Sequence, residues 1–114
     1  IAGVIFLSTW DLMRDSANLA VDAVPRDVDP EKVRAYLTSQ PGVTDIHDLH
    51  IWAMSTTNTA LTAHFVMPVF PTDDAFLNRI TGHLHDEFGI EHATIQIECG
   101  DGEVPCHQSI GCAD

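Results

Sequence analysis

An α+β domain is predicted for this chain, with a three-stranded sheet carrying two helices on one face. Three observations predict it. Runs rich in β-branched and aromatic residues begin at Val43, Thr59 and Ala93, and each alternates between two faces. Two stretches with helical spacing each open on an acidic start signal, Asp29-Pro30-Glu31 and Thr72-Asp73-Asp74. The order along the chain is then αββαβ over residues 25–99, a ferredoxin-like arrangement lacking its first strand and of antiparallel type.

The elements follow in order. Ile1 to Leu7 is uniformly apolar, but a bilayer span needs about twenty such residues, so seven cannot cross alone. They read as the final turns of a transmembrane helix whose earlier part lies upstream. Trp10 to Val24 continues with helical spacing, and Arg14 sits where a cytoplasmic membrane interface favours a basic residue. Residues 1–24 are thus expected to be the end of a last transmembrane helix and a connecting helix. Pro25-Arg26-Asp27 breaks the pattern.

In the next helix Asp29 is the N-cap, Pro30 the first helical residue, and Val33, Tyr36 and Leu37 the core stripe. Pro41-Gly42 ends it. Two strands follow around the polar turn Ser55-Thr56-Thr57-Asn58. In the second, Leu61, Ala63, Phe65 and Met67 point one way, and Ala60, Thr62, His64 and Val66 the other. Phe76, Ile80, Leu84 and Phe88 form the inward face of the second helix, and Gly89 sits where a left-handed C-cap is wanted. The third strand places Ile95 and Ile97 on the core side and Thr94, Gln96 and Glu98 opposite. Residues 100–114 lack periodicity and form a Cys- and His-bearing tail.

Composition narrows the function. The 114 residues make one small domain with a modest core. Seventeen acidic against five basic side chains give a net charge of −12, which opposes nucleic-acid binding and docking on anionic lipid. Such a surface instead concentrates cations. Three Cys without a repeating spacing make no disulfide framework and point to a reducing compartment. The start has no positive region and no small-residue cleavage site, so no signal peptide is expected.

Seven His lie among these carboxylates. His64 is mid-strand with Glu98 predicted on the same face, and His47 and His92 stand at strand starts. Imidazole and carboxylate suit zinc and its divalent neighbours, and a tetrahedral site needs three or four converging groups. His50 and Trp52 share the mixed face. His83 and Glu87, one turn apart, read as a solvated helix face. Cys99, just before the tail, and Cys106, His107 and Cys112 within it match no standard zinc-knuckle spacing. No Gly-rich phosphate loop or nucleophile elbow occurs, so no enzyme is expected.

These residues carry a resemblance. A helix leaving an apolar segment into Arg14-Asp15-Ser16, then Pro41-Gly42-Val43, His47-Asp48-Leu49-His50-Ile51-Trp52, Thr62-Ala63-His64 and Glu91-His92-Ala93-Thr94-Ile95-Gln96-Ile97-Glu98, together resemble a cation diffusion facilitator. That family comprises bacterial zinc, cobalt and cadmium exporters and eukaryotic zinc transporters. The resemblance implies a homodimeric regulatory domain on the cytoplasmic face of the cell inner (plasma) membrane, part of a proton-coupled efflux transporter. It implies zinc as the bound ion, with cobalt, cadmium and nickel as alternatives. By the family's motifs His47, His64 and Glu98 match metal ligands, and His92 matches one approximately. Cys106 and His107 fall where a further zinc-binding pair is expected. Some relatives use a His at the position of Gln96, so that ligand set departs here. The rival reading is a free-standing zinc metallochaperone or buffer of the same fold. An enzyme built on an open zinc site ranks below both.

Overall fold

The computed structural model describes residues 1–100. The elements are α1 (Ala2–Ala20), α2 (Pro30–Thr38), β1 (Asp45–Ala53), β2 (Thr59–Val66), α3 (Ala75–Phe88) and β3 (His92–Glu98). The expected tail pair, Cys106 and His107, lies outside the described residues.

Local chemistry explains each helix boundary. Asp29 Oδ1 accepts from the Glu31 and Lys32 backbone N–H groups at 3.1 and 3.4 Å, with Pro30 at the first helical position. In α3 the side chain that reaches the first turn is Asp73, accepting from Ala75 N–H at 3.0 Å. Gly89 ends α3 with φ 65°, its N–H bonded to His85 O, and the chain then turns Ile90 into the core.

The sheet order is β1-β2-β3. β1 and β2 pair antiparallel, as a hairpin must. β3 runs parallel to β2, with Ala60 opposite His92 and Val66 opposite Glu98. The expectation of an antiparallel-type sheet is corrected here: α3 forms a crossover between β2 and β3 and returns the chain in the same direction. The two-face expectation for β2 holds, since Leu61, Ala63, Phe65 and Met67 are all buried under α2 and α3 while Thr62, His64 and Val66 are half-buried. Ala60, on the second face, is buried as well. Val33 and Leu37 from α2, with Phe76, Ile80 and Leu84 from α3, complete the core.

One further difference from expectation concerns a side chain on a helix. His83 is not on a solvated face: its ring stacks on Tyr36 at 3.9 Å between centroids, joining α3 to α2. Burial raises the Tyr36 phenol above its ordinary pKa, with Arg79 opposing. Phe88, expected to face inward, does so: it is half-buried and packs against the core beside them.

α1 is one continuous helix through both the apolar run and the amphipathic segment, and none of its residues is buried. Val4, Ile5, Phe6, Leu7, Trp10, Leu12 and Met13 are all exposed. At about 1.5 Å per residue it is some 28 Å long, and it accounts for the elongated outline of 64 × 30 × 18 Å. Among the described residues no helix is long and apolar enough to cross a membrane.

Candidate metal centre

The open sheet face collects its polar groups where β1 begins and β3 ends. His47 and His64 are direct cross-strand partners, and Glu98 stands one side-chain repeat beyond Gln96, the partner of His64. Glu98 is fixed by its own backbone, whose carbonyl accepts from Met67 N–H at 2.7 Å. His47 is held from the helix side, because the preceding carbonyl of Ile46 accepts from Arg34 at 3.3 Å.

How His47 comes to this face is a matter of phase. Ile46 and Ile51 are both buried, yet they are five residues apart, an odd number that a regular strand cannot reconcile with one face. The strand resolves this with a bulge between His47 and His50, where Asp48 adopts φ 49°. One extra residue shifts the alternation. His47 therefore emerges with His50 and Trp52 on the open face instead of following Leu49 and Ile51 inward.

The side chains form a connected set. His64 Nδ1 lies 2.9 Å from Glu98 Oε1, and His47 Nε2 lies 3.2 Å from Glu98 Oε2, so each ring shares a proton with that carboxylate. Asp48 Oδ2 lies 3.5 Å from His47 Nδ1 and 3.9 Å from His64 Nδ1. The two rings meet edge to face at 5.1 Å. Gln96 Nε2 donates to Glu98 Oε1 at 3.1 Å, so at this position the amide orients the carboxylate. All four titratable side chains are only 10–25% exposed.

Whether this set fits a metal ion turns on one atom. His47 Nδ1 is buried and makes no hydrogen bond; the Asp48 oxygen at 3.5 Å is within ion-pair range but not placed to accept. An orphaned buried ring nitrogen costs about 1–3 kcal/mol unless something occupies its lone pair. His47, Asp48 and His64 each offer a donor atom within 4.8 Å of the others. Two ligands about 2.1 Å from a tetrahedral ion lie about 3.4 Å apart, and Asp48 Oδ2 stands close to that from both rings, at 3.5 and 3.9 Å. The donor set fits a divalent cation. It would displace the ring protons that now bridge to Glu98. A shallow cleft of ≈ 400 Å³ lined by Asp48, His50, Thr62 and His64 opens directly onto it.

Of the residues expected from the sequence, His47, His64 and Glu98 come together. His92 does not. It stands at the opposite end of β3, opposite Ala60, and six residues at about 3.3 Å each put it about 20 Å along the strand from Glu98. Asp48 was missed as a donor, since plain alternation sends it to the face away from His47. His85, without an evident partner in the sequence, bonds Asp86 at 3.0 Å and approaches Glu91 at 3.4 Å on the surface.

Residues 25–99 match the family model described as "Cation efflux protein, cytoplasmic domain". The chain belongs to this family. It is similar to the metal cation efflux system protein CzcD of Cupriavidus metallidurans, 37% identical over 102 residues that cover 89% of this chain and 31% of that protein. It is also similar to the probable proton-coupled zinc antiporter SLC30A3 of Bos taurus, 36% identical over 91 residues covering 80% of this chain and 24% of the relative. The chain thus spans under a third of the length of these curated relatives. These relatives carry the names of efflux proteins and antiporters, not of enzymes. Among solved structures, the metal-bound C-terminal domain of the CzcD transporter from the same bacterium superposes with a TM-score of 0.55 at 40% identity, covering 62% of this chain and 99% of that one. The α+β fold and the cation-efflux family expected from the sequence are both confirmed.

Proposed function

We propose that this domain is the cytoplasmic regulatory and dimerisation unit of a proton-coupled divalent-metal efflux transporter, and that zinc bound at His47, His64 and Glu98 draws two copies together to activate export. The observation that carries the reading is the buried, unsatisfied Nδ1 of His47 grouped with Asp48 and His64, with Glu98 hydrogen-bonded to both rings beside them. Membership of the cation-efflux family and the metal-bound state of the similar CzcD domain support it. So does the exposed apolar start of α1, which we assign, with residues 1–24, to the membrane-proximal end of the parent protein.

Charge supplies the mechanism. Two protomers at −12 each repel, and a core this small gains from a partner. A bound cation offsets part of the repulsion. It shifts the open–closed equilibrium only by its preference for the closed pair, which coordination beside the interface provides. Nitrogen and carboxylate donors accept zinc, cobalt, cadmium and nickel alike, so availability decides among them. Cys106 and His107 are proposed as a second zinc site.

Calorimetric titration with zinc tests the assignment. His64→Ala and Glu98→Ala should each remove one bound ion per protomer, and truncation after Gly100 should lower the stoichiometry while the αββαβ core stays folded. Wild-type affinity and stoichiometry in His64→Ala would refute the site.

A further inference from the structure

Apolar surface left in water is unevenly spread on this chain. Away from α1 and its connector, the exposed large apolar side chains among the described residues are Met54, Val69 and Phe70. Met54 stands alone beside the β1–β2 turn. Val69 and Phe70 are neighbours, 78% and 50% exposed, in a loop closed by Pro68 and Pro71. Each proline fixes its own φ, so the loop has less freedom to lose on docking. The loop follows β2 directly, at the end of the sheet where Val66 pairs with Glu98 and the Met67 N–H donates to the Glu98 carbonyl at 2.7 Å. The apolar pair and the metal centre thus share one end of the domain.

Resting on the metal-driven pairing proposed above, we infer that Val69 and Phe70 form a contact between two copies of this chain. Charge selects the occupant. A two-fold contact sets each surface patch against itself. In a chain of net charge −12 most such self-contacts bring carboxylates together, which is repulsive. Between Asp48 and Asp73 the sequence holds no Asp, Glu, Lys or Arg, and this loop is where that uncharged stretch puts two adjacent apolar side chains in water. The next carboxylate along the chain, Asp73, is turned onto the start of α3, accepting from the Ala75 N–H at 3.0 Å. Size sets what the contact does. A buried Phe removes about 150–250 Å² from water, so the half-exposed Phe70 offers about 100 Å² and Val69 about as much. A stable complex buries about 800 Å² per partner. A contact this small does not hold two such acidic chains together alone, so it makes pairing depend on the ion.

The experiment is sedimentation equilibrium of the 114-residue chain with zinc alone as the probe, read beside calorimetric zinc stoichiometry. Both side chains are exposed, so replacing them leaves the core intact. Val69→Ser combined with Phe70→Ser should raise the dissociation constant of the zinc-loaded dimer at least tenfold while zinc stoichiometry stays at the wild-type value. Val69→Glu should weaken the dimer further at low salt and recover in part as salt is raised, because the two introduced charges face each other. Met54→Glu is the control for net charge. It carries the same added charge at the far end of the eight-residue β2, roughly 25 Å away, and should leave the dimer as it is. An unchanged dissociation constant in the double variant, or equal weakening in Val69→Glu and Met54→Glu, would overturn the contact. Zinc binding and zinc-driven pairing unchanged in His64→Ala, with the double variant still dissociated, would instead overturn the metal site and leave the contact standing.

Discussion

Two glycines in and beside α3 allow backbone energetics to be measured without interference from packing. Gly82 lies inside the helix and Gly89 caps it with φ 65°, and a Cβ built on either meets no atom within 4 Å. Sterics therefore drop out of both substitutions. At Gly82 alanine removes conformational freedom from the unfolded chain and restores helix propensity, so Gly82→Ala should stabilise by about 0.5–1 kcal/mol. At Gly89 the same entropic gain, about 0.4–1 kcal/mol, is outweighed by about 1–2 kcal/mol for placing a Cβ in the left-handed region. Gly89→Ala should thus destabilise by up to about 1.5 kcal/mol. For a domain of this size about 1 kcal/mol moves Tm by roughly 4–8 °C, so the two midpoints should separate clearly, on opposite sides of wild type. The assay is thermal unfolding followed by circular dichroism, with chelator present and protein concentration fixed, because bound metal or dimerisation would add its own linkage. A Tm shift of the same sign in both variants would refute the reasoning.

Other expectations follow from single contacts. Asp29→Ala removes the side chain that accepts from two N–H groups at the start of α2 and should cost about 0.5–2 kcal/mol by urea denaturation. His85 should titrate above its ordinary value, chiefly through its hydrogen bond to Asp86 and then through the charge of Glu91. A raised folded-state pKa means that its contribution to stability is fully present below about 6.5 and is lost as pH rises through the folded value. Proton NMR of the His85 ring should show the raised midpoint, and Asp86→Asn should bring it down; an unmoved midpoint would remove the hydrogen bond as its cause.

Much of this fold was legible because local signals agreed with one another. Asp29-Pro30, Gly89 and the alternation of Leu61, Ala63, Phe65 and Met67 each have one physical reading, and the structure realises all three. The direction of β3 needed a longer-range argument: a helix between two paired strands is a crossover, and crossovers make parallel neighbours. The site was legible where it lies on regular strand, at His64 and Glu98. His47 was reached from its place at a strand start and from its motif, since alternation alone places it on the core side. The missing signal was the odd spacing of Ile46 and Ile51, which a strand can satisfy only with a bulge, and Asp48 is the residue that bulge exposes. His92 shares a face with Glu98 by parity, but parity says nothing of distance, and about 20 Å of strand separates them.

The central claim is that metal at His47, His64 and Glu98 changes how two protomers sit together. Spin labels on the exposed α3 surface, at the position of Glu87, report the distance between protomers by pulsed electron resonance. Zinc should shorten and narrow that distance in the wild-type domain, chelator should restore the longer one, and His64→Ala should stay at the longer distance throughout. Zinc bound at full stoichiometry with the distance unchanged would contradict the account.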